Sequence, residues 1–322
     1  MADYDSPTDI EPQDAEPVSN PCSMSLTTSL KSSVLNYEYE NGRRYGGAGQ
    51  SKYFIPADED ESNRLDLCAH MFSLLMHGEL HLAPIGPDPH RILDVGTGTG
   101  LWAMDMAEKY PSATVLGTDI AAVQPSFVPP NVEFEINDAN EDWGFSAPFD
   151  FVHARYLGGA IRDWPKFVGQ AYKYAKPGAW VEFMDFTMTF YTTHGAFRPG
   201  CAVDRWTEEL KAALIDFGLE PEPGSKLGGW VNDAGFQNVS VKKIALPVGL
   251  WPKDRTLKEV GTINLIQFLD NLEAFSLRPM TARGWSVERI NEFLREVRRD
   301  FKDPTFQMQH DGFIVYGQRP ME

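Results

Sequence analysis

The run Ile92-Leu93-Asp94-Val95-Gly96-Thr97-Gly98-Thr99-Gly100 sets three glycines at alternate positions directly after a short apolar stretch. Glycines in such a turn let the backbone approach a ligand closely, and a helix beginning just after them adds its N-terminal end. Asp119, followed by Ile120, closes the next apolar run about 20 residues on, where a carboxylate accepts hydrogen bonds from both hydroxyls of a ribose. A third run leads into Asn137-Asp138-Ala139, where a carboxylate meets an adenine amino group and a backbone N–H meets a ring nitrogen. A dinucleotide loop is written G-x-G-x-x-G. Here position 101 is Leu, and Asp94 stands where a pyrophosphate is disfavoured. The set suits a nucleoside that carries a positive charge.

The elements that must position these residues alternate between strand and helix. Strands are predicted at Ile92–Val95, Thr114–Thr118, Val132–Ile136, Phe149–His153, Trp180–Phe186, Val239–Leu246 and Gly312–Tyr316. Between them, Leu101–Lys109, Phe167–Ala175 and Asp204–Phe217 read as helices, the second stopped by Pro177-Gly178. A further helix is expected over Leu65–Leu82. A helical block from Leu257 is divided by Pro279, with Ser286 capping its second half. Repeated strand-then-helix units imply an α/β fold, a parallel sheet with right-handed crossovers and helices on both faces. Ligands in such sheets bind at the carboxyl ends of the strands.

Composition narrows the partners. The 322 residues, 42% of them hydrophobic, are enough for a large core, and 29 basic against 46 acidic residues give a net charge of -17. That field repels phosphate backbones, so no nucleic acid is expected as substrate. Cys22, Cys68 and Cys201 form no framework, no stretch approaches the roughly 20 apolar residues of a membrane span, and no apolar signal core opens the chain. A soluble cytoplasmic protein is expected, a nuclear one being compatible. His77 and His81 are four apart, but no HExxH-type carboxylate accompanies them, so no metal site is expected.

The chain resembles the fungal LaeA-like class I S-adenosylmethionine (SAM)-dependent methyltransferases of secondary metabolism. Residues 92–102 carry the cofactor-loop likeness. Asn41-Gly42-Arg43-Arg44-Tyr45, Tyr53-Phe54-Ile55-Pro56, His81-Leu82-Ala83-Pro84, Pro129-Pro130-Asn131-Val132, residues 149–156, Asp163-Trp164-Pro165 and Lys176-Pro177-Gly178 carry the subfamily likeness. Asp94, Gly96, Gly98, Asp119 and Asp138 match the family's SAM positions; Ala179 departs from a frequent second glycine.

The resemblance implies a Rossmann-like seven-stranded sheet with an antiparallel last strand. Acidic residues spaced by Pro7, Pro12, Pro17 and Pro21, with no basic residue among them, make residues 1–24 an expected disordered tail; the rest divides into an N-terminal helical cap (25–90), a SAM-binding core (91–256), a helical lid (257–303) and a final strand (304–322). Cofactor contacts are expected at Tyr53, Asp94, Gly96, Thr97, Gly98, Gly100, Asp119, Ile120, Asp138, Ala139, His153 and Arg155, with S-adenosylhomocysteine as product. Methyl transfer is an in-line displacement, so a base is needed only for a protonated acceptor. His153, which ends the fourth strand, and His194, which follows the fifth, are the candidate bases, and Phe190 and Tyr191 the candidate acceptor wall. A small-molecule acceptor is expected. Two alternatives stand beside it: a SAM-binding regulator acting through a protein partner, and a SAM-dependent rearrangement without methyl transfer.

Overall fold

A computed structural model describes residues 37–46 and 55–322; the acidic tail and Tyr53 lie outside the described residues. A hairpin comes first, β1 (Glu38–Glu40) and β2 (Arg43–Tyr45), turned at Asn41-Gly42 with both residues at positive φ. Asn-Gly meets that backbone demand at least cost. Arg43 then grips Asp58 through two contacts, at 2.6 and 2.7 Å. Asp58 in turn caps α1 (Glu59–Leu75) by accepting from the Glu61 N–H. The helix therefore starts earlier than the expected Leu65 and ends sooner than Leu82, because His77 and Gly78 take left-handed φ.

The remaining order is β3 (Arg91–Val95), α2 (Leu101–Lys109), β4 (Thr114–Asp119), β5 (Val132–Ile136), β6 (Phe149–Arg155), α3 (Trp164–Tyr174), β7 (Ala175–Phe186), α4 (Ala202–Asp216), α5 (Leu227–Asp233), β8 (Gln237–Pro247), α6 (Arg255–Ala282), α7 (Val287–Phe301) and β9 (Gln309–Gln318). Seven strands form one sheet in the order β5-β4-β3-β6-β7-β9-β8, with β9 antiparallel to both its neighbours. Pro177-Gly178 ends no element: β7 runs through it, with the pairing to β6 slipping between Phe149 and Phe151. Pro279 likewise divides nothing. α6 runs through it to Ala282, and the break falls at Gly284, φ +85°.

Two apolar cores matter for the site. One lies under the central strands around Leu93, Val152, Phe167 and Val181. The other joins α4, α6 and α7 through Trp206, Leu272, Met280, Leu294 and Phe301, and Phe190 enters it from the loop after β7.

A buried carboxylate fastens α1's exit to the sheet. Glu182 on β7, 1% exposed, accepts the backbone N–H groups of Leu82 and Ala83 at 2.7 and 2.6 Å. Burial nevertheless pushes its pKa up to about 7. The folded state thus holds this proton more tightly than the unfolded chain. Its contribution is full below the ordinary value of 4.5 and is lost as pH rises through about 7. Between pH 5 and pH 8 the loss is roughly 2–3 kcal/mol. Chemical denaturation of wild type and Glu182→Gln at both pH values checks this: the wild type should lose that much more than the variant. Equal losses would show that Glu182 does not titrate there.

Candidate functional site

Beyond the carboxyl ends of β3, β4 and β6, the glycine turn, α1 and the β6 exit surround a cavity. Gly96, Thr97, Gly98, Asp119 and Ile120 line one side, Asp138 and Ala139 another, and Arg155 with Tyr156 a third. Helix α1 closes it with Leu65, Cys68 and Phe72, and Asp66 on the same helix accepts the Thr99 hydroxyl at 2.7 Å.

Four of the turn's N–H groups are occupied within the protein. Gly96 and Thr97 donate to the Thr118 carbonyl at 2.8 and 2.9 Å, Gly100 donates to the Thr97 carbonyl at 3.0 Å, and Gly98 donates to Asp119 Oδ2 at 2.8 Å. A pyrophosphate needs such donors free. Asp119 takes the Ala121 N–H on its other oxygen, and a carboxylate has about four acceptor positions, so both oxygens keep room for ribose hydroxyls. Burial pushes its pKa up, against the N–H groups of Ala121, Gly98 and Ile120, which pull it down. Asp138 uses one oxygen for the Asn140 backbone and side chain, and the other has no partner among the described residues. Arg155 lines the cavity without an ion pair among the described residues, and its guanidinium lies 5.3 Å over the Phe72 ring. The donor set fits a nucleoside bearing both a cation and a carboxylate.

Several expected contacts are placed elsewhere. Asp94 is buried with each oxygen committed, Oδ2 to the Thr97 hydroxyl at 2.7 Å and Oδ1 to His153 Nδ1 at 2.8 Å. It braces the turn from beneath and lines no cavity among those described. His153 is buried beside it, stacked on Trp102 with ring centroids 3.7 Å apart, and burial lowers its pKa despite Asp94. That packing gives it no approach to an acceptor, which corrects its reading as a base. Gly100 serves the fold: its left-handed φ starts α2, and a Cβ there would meet Phe134. His194 is exposed in the loop after β7 and lines neither cavity described here.

A second cavity adjoins the first, and Tyr156 lines both. Its walls are largely apolar: Phe186, Phe190, Trp206, Phe268 and Phe275 supply rings from β7, the following loop, α4 and α6. Tyr191 stays outside it, its hydroxyl on Asp311 at 2.7 Å. The polar exceptions include Arg64, Gln267, Asp185 and His310. Tyr156, at φ +63°, donates to Gln267 Oε1 at 3.1 Å and accepts from Arg64 at 2.9 Å. Nothing in the local pattern around Tyr156, Arg64 or Gln267 marks them, since they meet only through the tertiary fold. The one available signal was that Arg155-Tyr156 follows a strand ending at the ligand edge.

Beside these two neighbouring cavities, the comparisons with known proteins decide the family. The methyltransferase-domain family matches residues 68–241. The chain belongs to the LaeA-like class I SAM-dependent methyltransferases. It is 36% identical to methyltransferase pytC of Aspergillus terreus over 92% of each chain. It is 30% identical to the secondary metabolism regulator LAE1 of Cochliobolus heterostrophus, over 88% of this chain and 95% of that one. It is also 30% identical to the protein-methionine methyltransferase laeA of Emericella nidulans, over 93% of this chain and 81% of that one. No helix among the described residues is long and apolar enough to cross a membrane.

Proposed function

We propose that this methyltransferase acts on a small, ring-bearing apolar molecule held in the second cavity. The observation that carries the reading is the wall shared at Tyr156: a cavity with nucleoside-type acceptors lies beside one walled by aromatic rings. When bound, SAM supplies a methyl group already activated by its sulfonium. The chain's own work is alignment and exclusion of water. Asp119 would hold the ribose, Asp138 and Ala139 the adenine edge, and Arg155 the carboxylate. Helix α1 covers the cofactor side and α6 the acceptor side. A wall of aromatic side chains favours a flat apolar acceptor over a solvated peptide.

Calorimetric titration with SAM, S-adenosylhomocysteine and NAD tests the cofactor half. Micromolar binding of the first two and none of NAD is expected. Asp119→Ala, which also releases the Gly98 N–H, should weaken SAM at least tenfold with the melting temperature little changed. Tight NAD binding, or SAM affinity indifferent to Asp119, would overturn the reading. A mass gain of one methyl group on an aromatic metabolite, and none on a methionine peptide, tests the acceptor half.

A further inference from the structure

Resting on that reading, we propose that Asp185 is the base that takes the proton from an acceptor hydroxyl, which makes the substrate class a phenol or related aromatic hydroxyl compound. Asp185 is the last residue but one of β7, beside the β6 exit, and lines the acceptor cavity. It is 1% exposed, and its oxygens accept the N–H groups of Phe186 and Leu157, both at 2.9 Å, with Gly158 contributing a third. Leu157 and Tyr156 also line the cofactor cavity, so this carboxylate sits where the two cavities meet. A carboxylate accepts about four hydrogen bonds, and three backbone donors leave it room for one more.

The other titratable groups lining the cavity are unsuited to the task. Arg64 has no lone pair to offer. The Tyr156 hydroxyl is held well above its ordinary value by burial, and so stays protonated. His310 has Nδ1 on the Thr187 carbonyl and Nε2 on Asn264, both at 3.1 Å, and burial lowers its pKa to about 4. Both nitrogens are engaged, and the ring is neutral at working pH. Asp185 has no charged side chain among its partners; burial raises its pKa to about 7 against its three N–H donors. A base with a pKa near the operating pH is the effective kind. In the step, the acceptor O–H bond breaks and its proton passes to the Asp185 carboxylate. The oxygen's electron pair forms the bond to the methyl carbon, and the carbon–sulfur bond breaks with its pair left on sulfur. The proton returns to solvent after release.

The test compares binding of 2-naphthol and of its methyl ether, 2-methoxynaphthalene, to cofactor-free protein by calorimetry at pH 8. Asp185→Asn should weaken 2-naphthol about 10- to 100-fold, the range of a hydrogen bond to a charged group, and leave the ether unchanged. Equal weakening of both would mean a merely structural role and overturn the proposal. Turnover provides the second arm. With SAM, Asp185→Asn should slow 2-naphthol methylation by at least about 100-fold, and pentafluorophenol, already ionised at that pH, by less than tenfold. Should the variant not fold, the wild-type pH profile decides: kcat/KM should rise through about pH 7 for 2-naphthol and stay flat for pentafluorophenol. Identical profiles would overturn the assignment. SAM binding without binding of either naphthalene would end this inference and leave the methyltransferase standing. Absence of SAM binding would end the parent reading.

Discussion

Gly100→Ala is expected to cost about 2–5 kcal/mol, through backbone strain and overpacking together. Gly100 holds φ +83° at the start of α2, and a left-handed residue with a Cβ costs about 1–2 kcal/mol. The new carbon would lie 2.3 Å from Phe134 Cζ and 2.8 Å from Cε1. A Cβ at Gly117 would also meet the ring at 2.7 Å: half-buried Phe134 sits between two glycines. Overpacking of that kind adds about 1–3 kcal/mol. Because Gly100 donates to Thr97, whose side chain and N–H fix the turn on Asp94 and Thr118, SAM binding should weaken by tenfold or more as well. Denaturant titration of Gly100→Ala, and of Gly100→Ala with Phe134→Leu, separates the two terms. The second change should recover the packing part and leave the backbone part. Full recovery would show that φ carries no strain, and no loss in the single variant would refute the packing argument.

How far the sequence discloses this site depends on chain distance. The turn, Asp119 and Asp138 are contiguous with strand ends, so alternation and glycine spacing suffice to place them at one sheet edge. Residues 101–109 and 132–136 fold over the ranges expected, because Pro111 and the Pro129-Pro130 pair punctuate them sharply. Asp94 and His153 mislead for a geometric reason. They are paired in register on neighbouring strands and share a face, but that face meets Trp102 rather than the ligand. A sequence shows which end of a strand a residue occupies and not which layer covers it. The acceptor cavity is hidden for another reason. Arg64 and Gln267 meet across 203 positions, from α1 and α6, and no local pattern reports such a contact. Asp185 was likewise one acid in a fifth strand until burial and its three donors set it apart.

The same long-range meeting sets the second large effect. Arg64 is 2% exposed and Glu61 5%, and they pair through two contacts, Nε to Oε2 at 2.8 Å and Nη2 to Oε1 at 2.6 Å. The guanidinium also reaches the Tyr156 hydroxyl and Gln267 Oε1, at 2.9 and 3.2 Å, and lies over the Tyr156 and Phe275 rings. One cation thus joins α1, the β6 exit and α6. Taking away its anion leaves a buried charge uncompensated, which costs about 3–5 kcal/mol, whereas replacing both partners by apolar groups of similar size is often neutral. Glu61→Gln should therefore lower the melting temperature by roughly 10 °C in a chain of this size. Glu61→Leu with Arg64→Met should recover most of that stability. The double variant nevertheless loses the donor to Tyr156, so aromatic acceptors should bind it more weakly while SAM affinity holds. Recovery of stability with loss of acceptor binding would establish that the pair is kept for the pocket rather than for the fold. A double variant as unstable as Glu61→Gln would instead make the pair a structural requirement, and the polar edge of the acceptor cavity would then be a consequence of how α1 and α6 pack.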